Sequence, residues 1–469
     1  MKKILAILSL TLLGLSLNAQ IYNWSKEIEV NNSSYEVDYI GTYNNQNYFL
    51  VKTQNSFMIS LRYYSTDENN NLVKKGKAIG LAKSSVIANY ISDDRIKLFL
   101  HVSDSKKSEV ELVVIDPITL NELENETEVI LELGGYNSVY FSLSPDSSFY
   151  SLNVLKFNPN TSKGYLDYNV FNANNNELEW ENRLDINVEG SLTIKDFYLN
   201  NSGEAYLFAE NEIYVSRRKS KYRLLTIKTT ESDNRLLDLR LELDDEIESI
   251  QNSEIDKDNI FLSLVSYNNL KYYNLNLYRE EVESSGSYKI LDDEGYFRSL
   301  KLQSHYRLDN DAMLIPIELR YKNDKGFFNQ GITLFMVDLV TGELEAKKYI
   351  SRAINLRSNH SNYASHSYME RPFFYTNQDG FNVIYNNQKK IDDLNRGFFW
   401  DKRMISRENK KIRTMKYTLS PNADVSLKEL FSFETEGYVM SATPSFVDSQ
   451  GRLVLCGGNR NAISFTVLD

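Results

Sequence analysis

The chain has 469 residues, a formal charge of −11 and an aromatic content led by Tyr (32) and Phe (23). That length could supply two or three ordinary domains. The acidic surplus repels phosphate backbones and argues against nucleic acid as a partner, while Tyr/Phe-rich runs between Asn-rich turns argue for an all-β rather than a helical protein.

Residues 1–20 carry a basic start at Lys2-Lys3, an apolar stretch from Ile4 to Leu17 and a small-residue exit at Leu17-Asn18-Ala19. This is the pattern of a secretory signal peptide. It predicts an exported chain, periplasmic, cell-surface or secreted in a Gram-negative bacterium, with a mature body over 21–469. The apolar run is shorter than the ~20 residues of a spanning helix, no cysteine follows it, and no membrane span is expected after leader removal. Loss of Lys2 and Lys3 takes the mature chain from −11 to −13.

From there the chain repeats itself. Eight short polar turns begin at Asn44, Ser92, Ser144, Asn200, Asp256, Asp309, Asn377 and Asp448, about 48 to 71 residues apart, and each runs into strand-forming residues such as Ile260-Phe261-Leu262. A unit repeated at this period cannot bury its own apolar face and must stack on its neighbours. The second unit reads as four strands over 85–91, 96–102, 110–115 and 122–131. The third repeats the order over 139–143, 149–156, 165–171 and 178–186. Four antiparallel strands per unit make a propeller blade.

The last unit tests the reading, because only three strands fit, over 441–447, 452–456 and 463–468. The mature N-terminus offers the fourth: Trp24-Ser25-Lys26-Glu27-Ile28-Glu29-Val30 matches Trp180-Glu181-Asn182-Arg183-Leu184-Asp185-Ile186, with apolar residues at alternate-face spacing. We therefore expect a single all-β propeller of eight four-stranded blades, with strand 21–31 completing the last blade, 438–469, and closing the ring. Seven blades is the alternative count, since the units at Asp309 and Asn377 are widely spaced.

The Ser144-Pro145-Asp146 turn, followed by a strand, and the Val337-Asp338…Thr341-Gly342 turn resemble loose motifs of the bacterial exported β-propeller superfamily, which includes WD-type and quinoprotein-like repeats. That resemblance spans the mature chain and implies a fold, since propellers host enzymes, receptors and scaffolds alike. The chain departs from the quinoprotein-like dehydrogenases in having only Trp24, Trp180 and Trp400, and its single cysteine, Cys456, cannot supply a Cys-x-x-Cys-His haem site. Cys456 lies in an apolar run and reads as a buried inert thiol.

No catalytic, metal or cofactor residues are predicted. The four histidines, His101, His305, His360 and His366, form no metal-binding spacing. The run Asp256-Lys257-Asp258-Asn259 lacks the ligands and glycine of a calcium loop. The pairs Asp93-Asp94, Asp244-Asp245, Asp292-Asp293 and Asp392-Asp393 read as solvated turns.

Two stretches break the repeat, and both fall on the face where second-to-third-strand loops and inter-blade connectors emerge. One is an insertion at 387–409 in the seventh blade; with its flanks it carries nine bases against four acids around Phe398-Phe399-Trp400. The other is an Asn- and Ser-rich connector over about 351–367 with Arg352, Arg357, His360 and His366. Long loops on a compact repeat carry function disproportionately. The candidate binding residues are Arg396, Phe398, Phe399, Trp400, Lys402, Arg403, His360 and His366; the competing reading makes Phe398 to Trp400 a cap packed on its own blade. The expected function is binding or scaffolding without catalysis, with a protein or polysaccharide partner in the cell envelope. The alternative is a carbohydrate-active hydrolase or lyase using channel carboxylates.

Overall fold

The computed structural model describes residues 22–29, 35–54, 59–81, 84–92, 94–103, 108–133, 138–158, 163–187, 189–216, 219–243, 245–291, 299–308, 311–323, 326–357, 371–387, 412–420, 424–436, 439–448, 450–458 and 462–468. They form eight antiparallel sheets of four or five strands, in which consecutive hairpins stack outward from a ring of first strands. Blade 3 is typical, with strands Ser138–Leu143, Phe149–Asn158, Lys163–Asn172 and Leu178–Asn187. The protein is an eight-bladed β-propeller.

The middle strands are largely buried and mostly apolar because both faces of each sheet meet a neighbour. In blade 5 the strand Asn259–Ser266 is buried from Ile260 onward. Ile260, Leu262 and Leu264 pack toward blade 4, and Phe261 and Val265 pack toward blade 6. One run thus serves two cores through the period of two. The outermost strand of the same blade, Glu281–Lys289, alternates exposed and half-buried residues, as a rim strand with one covered face must.

The repeated turns are built by their own side chains. Asp448 Oδ1 accepts from the N–H groups of Gln450 and Arg452 at 2.9 and 2.8 Å. Asn200 Oδ1 accepts from Ser202 and Glu204 at 3.0 and 2.8 Å, and Asp256 Oδ1 from Asp258 and Asn259 at 2.9 and 3.0 Å. These are Asx turns, which occupy the carboxylates and amides. In the third-to-fourth-strand turn of blade 6, the Thr341 and Val340 N–H groups hold the Asp338 carboxyl below the usual carboxylate range. Of the acidic pairs, Asp94 is engaged by Arg95 at 2.8 Å, and Asp93, Asp244, Asp292, Asp293, Asp392 and Asp393 lie outside the described residues.

The ring closes through the N-terminal strand. Ile28 stands opposite Ile463 and Glu29 opposite Ala462, making the sheet Ile28–Glu29, Ala462–Leu468, Leu453–Gly458, Val439–Val447. Ser25 extends the ladder, its N–H donating to Phe465 O at 2.7 Å and its Oγ accepting from Phe465 N at 3.0 Å. The correspondence of the two tryptophans ends there. Trp180 donates to Gly203 O in the following blade at 3.1 Å. Trp24 turns the other way, edge-on to Phe431 of blade 7 at 5.3 Å and donating to Glu436 at 3.0 Å. The chain from Trp24 to Glu27 is not regular strand, and the alternation does not carry through it.

Three first or fourth strands are broken, and the fourth of blade 1 splits into Leu72–Lys75 and Ile79–Leu81. The fourth strand of blade 2 splits into Asn121–Glu122 and Glu128–Glu132 around a one-turn 3-10 helix, Glu124–Glu126, a break an edge strand tolerates because no outer neighbour needs its hydrogen bonds. The first strand of blade 6 splits into Ser299–Leu302 and Tyr306–Arg307. Cys456 is buried in the blade 8 to blade 1 core, and burial pushes its thiol pKa up.

Candidate functional site

The face that carries the second-to-third-strand hairpins is uneven. In blade 4 the hairpin strands Ala205–Ser216 and Lys219–Thr229 have 12 and 11 residues, and in blade 6 Ala312–Asn323 and Gly326–Asp338 have 12 and 13. Those of blade 5 between them, Asn259–Ser266 and Asn269–Asn276, have 8 each. Four residues of strand are about 13 Å, so the blade 5 hairpin lies as a step between two taller neighbours.

Its tip is Tyr267, 70% exposed, with φ of 55°. Beside it the taller blade 4 tip shows Tyr214 and Val215, exposed by 64% and 53%. Under that tip Glu212 accepts from Ser220 Oγ at 2.6 Å, Tyr214 OH at 3.2 Å, Ser191 Oγ at 3.3 Å and Tyr222 OH at 3.4 Å. The Ser220 hydroxyl leads in holding the Glu212 carboxyl below its ordinary range. Burial, then Glu212, Glu246 and Asp245 of the blade 4 to blade 5 connector, raise the Tyr222 phenol. The result is an aromatic surface set among carboxylates.

A second feature lines the central channel. The first strands of blades 1, 2, 4 and 8 carry register shifts, at Tyr39/Gly41, Val86/Ala88, Ile194/Asp196 and Ser441/Phe446. Bulges re-aim side chains and gather at sites. Those of blades 2 and 4 flank a cavity of about 440 Å3 across blade 3, whose walls include Ser85, His101, Tyr140, Asp196 and Phe197. The rings of Tyr140 and Phe197 lie 5.0 Å apart at 42°. Asp196 Oδ2 accepts from Asn252 Nδ2 at 2.7 Å and Oδ1 from the Phe197 N–H at 2.9 Å. Burial pushes its pKa up to about 6 despite both donors. The adjacent Lys195 also lines the cavity, with its Nζ occupied by Ile247 O at 2.7 Å and Glu210 at 3.4 Å.

Another carboxyl on a channel strand, Asp38 in blade 1, is raised by burial and then by Glu36, with Arg371 and Lys52 acting against them. Asp38 and Asp196 answer to separate surroundings, and neither acts on the other's proton affinity. Among the described residues no three of His, Cys, Asp and Glu stand together as a metal site, and no helix is long and apolar enough to cross a membrane.

The sequence-predicted residues Arg396, Phe398, Phe399, Trp400, Lys402, Arg403, His360 and His366 all lie outside the described residues. Their flanks are described. Asn387 and Arg413 face each other at the end of the blade 7 hairpin, and the connector leaves after Arg357, which ends the last strand of blade 6. Both exits open on the hairpin face. One correction concerns Arg352, which belongs to that strand rather than to the connector. It is buried against Glu318 at 3.2 Å, both side chains 0% exposed, because the long blade 6 hairpin extends the ladder to Arg357 opposite Gly326. Sequence reasoning missed Tyr267, Tyr214 and Asp196. The available signals were a tyrosine inside the polar turn Ser266-Tyr267-Asn268-Asn269 and the adjacent charges Lys195-Asp196, which interrupt alternation as a bulge does.

No protein-family model and no curated protein matches the chain. Solved structures do. The β-propeller domain of the Trilobed protease from Pyrococcus furiosus is 11% identical over 85% of this chain and 99% of its own, with a TM-score of 0.39. A Dos1 propeller is 8% identical over 95% of each chain at 0.45. A mutant of Synechocystis apocarotenoid oxygenase is 9% identical over 95% and 94% at 0.40. The likeness is one of fold, and nothing about ligand or activity passes across it.

Proposed function

We propose that this protein is a non-enzymatic binding protein that takes a protein or polymeric partner on its hairpin face, after export through the leader at 1–20 to the periplasm or surface of a Gram-negative bacterium. The observation that carries the reading is Tyr267. A left-handed backbone at a bulky L-residue costs about 1–2 kcal/mol. Leu120 adopts φ of 55° as well, but is 2% exposed and its burial offsets the strain. Tyr267 leaves 70% of its surface in solvent at the same φ, so the use of its ring lies outside the chain. Tyrosines are frequent anchors of interfaces, with polar groups as the rim. Tyr214 is exposed on the neighbouring, taller blade 4 hairpin, and Glu212, Asp245 and Glu246 favour a partner segment rich in Lys and Arg. We include the insertion, with Arg396, Phe398, Phe399, Trp400, Lys402 and Arg403, and the connector histidines His360 and His366, in the same face on the strength of where their flanks emerge.

The competing reading, glycan cleavage at the channel, draws on Asp196. Acid/base cleavage uses two carboxylates that share one substrate, and the two raised carboxyls of the channel strands stand in blades 1 and 4 with separate surroundings.

Tyr267→Asn tests the proposal, since Asn tolerates the left-handed region. The variant is expected to gain about 1 kcal/mol of stability in urea unfolding. Partner captured from an envelope fraction is expected to fall by about tenfold or more. Capture unchanged in both Tyr267→Asn and Tyr214→Ser would reject the blade 4 and 5 surface. A parallel protein shortened over 388–409 tests the insertion.

A further inference from the structure

We infer that the channel-wall cavity between blades 2 and 4 is a binding site for a small organic cation, an aromatic or alkyl ammonium or guanidinium. The inference stands apart from the hairpin-face reading. It rests on what the cavity offers and what it withholds. Tyr140 and Phe197 present two rings 5.0 Å apart, and Val86, Ile87 and Ile194 add apolar wall. The blade 4 bulge places Asp196 in the same wall. Its two described donors, Asn252 Nδ2 and Phe197 N–H, are neutral.

Cations that could have neutralised it are engaged elsewhere. Lys195 is 15% exposed and tied to Glu210 and the Ile247 carbonyl on the blade 5 side. His101, on the blade 2 wall, exchanges a hydrogen bond with Ser108 at 3.0 Å. From blade 5, the other charged group of the first strand, Glu254, accepts from Tyr198 OH at 2.9 Å. Among the described residues no salt bridge reaches Asp196. A half-buried carboxylate with only neutral donors and no counter-ion among the described residues favours a ligand that brings one, and aromatic faces attract the same ligand through their quadrupoles. An anion would meet Asp196 at close range. A neutral hydroxyl compound would hydrogen-bond without relieving the charge. The volume of about 440 Å3 suits a molecule of one ring with a short amine arm.

Ionisation of Asp196 then gates the site. Burial raises its pKa to about 6, and a bound ammonium needs the ionised form. Affinity should therefore fall about tenfold from pH 7.5 to pH 5, the loss of ionised fraction across that interval.

Calorimetric titration of the whole protein with benzylamine, benzyl alcohol and benzoate provides the test. Benzylamine should bind at least about tenfold more tightly than benzyl alcohol at pH 7.5, benzoate should not saturate, and benzylamine should weaken at pH 5. Asp196→Asn, which keeps the shape and removes the charge while exchanging one acceptor oxygen for a donor, should abolish both the preference for the amine and its pH dependence. Folding of the variant is checked by its melting temperature, expected to be unchanged or higher at pH 7.5 because a buried charge has been removed. Equal binding of the alcohol, an amine affinity independent of pH, an unaffected Asp196→Asn, or no saturable benzylamine binding would each overturn the assignment.

Discussion

At the scale of single residues, His305 shows how the fold fixes a protonation state. It sits in the break of the blade 6 first strand, with Nδ1 2.9 Å from Ser253 Oγ and Nε2 2.6 Å from Ser263 Oγ. Ser253 Oγ donates to Asn252 O at 2.8 Å, so it accepts from Nδ1–H, and Nε2 accepts from Ser263. Burial pushes the imidazole pKa down to about 3, from 6.5. The folded state therefore binds the proton less readily than the unfolded one. Stability from this group is complete above pH 6.5 and is lost as pH falls toward 3. Between pH 7.5 and 4.5 the protein should lose about 2–3 kcal/mol through His305. Urea unfolding at the two pH values, compared with His305→Asn, checks this: the variant should show a correspondingly smaller loss, whatever its absolute stability. None of this was legible in the sequence, where His305 stood in no motif. Its burial depends on Phe261, Ser263 and Ser253, contributed by another blade. The Asx residues of the turns were legible, because Asp256, Asn200 and Asp448 bond to backbone two to four residues away and need no tertiary partner.

Among elements, the closing strand carries the most consequence. Ile28 is 1% exposed within a core shared with Val37, Phe49 and Phe465. Ile28→Ala should cost about 2–4 kcal/mol, read as a shift of the denaturation midpoint at unchanged slope. The strand was legible because Ile28 and Val30 keep the spacing of Leu184 and Ile186. The direction of Trp24 was not, since a few residues of irregular chain suffice to reverse a side chain that only ladder hydrogen bonds would fix. The split fourth strand of blade 2 was missed for a related reason: the 3-10 turn Glu124–Glu126 interrupts it between Glu122 and Glu128 with no Gly or Pro to mark the break. Hairpin heights were recoverable in principle from strand lengths. A left-handed φ at Tyr267 was not, since Asn or Gly is what such a position normally shows in sequence.

For the whole molecule, blades hold one another by apolar cores and by a few polar staples. Arg352 pairs with Glu318 in blade 6 and donates from Nε to Asn386 O of blade 7 at 3.1 Å. Arg352→Met would strand a buried carboxylate and should cost about 3–5 kcal/mol, measured by chemical denaturation at pH 7.5. The eightfold count was legible because a polar turn recurs once per unit along the sequence, whereas the channel cavity was not, because its walls come from blades 2, 3 and 4 and no stretch of sequence contains it. The ring closure has a further consequence. Ser25 and Phe465 are 440 positions apart in the chain, so the first strand has its partner only once the last blade exists. Until then the strand Ala462–Leu468 presents an unpaired edge, the kind of surface that recruits other chains. Loss of the strand Ile28–Glu29 would expose that edge, and loss of Ala462–Leu468 would instead bare Leu453–Gly458 beside it. The seam is therefore hidden only where the first strand and the last blade are present together.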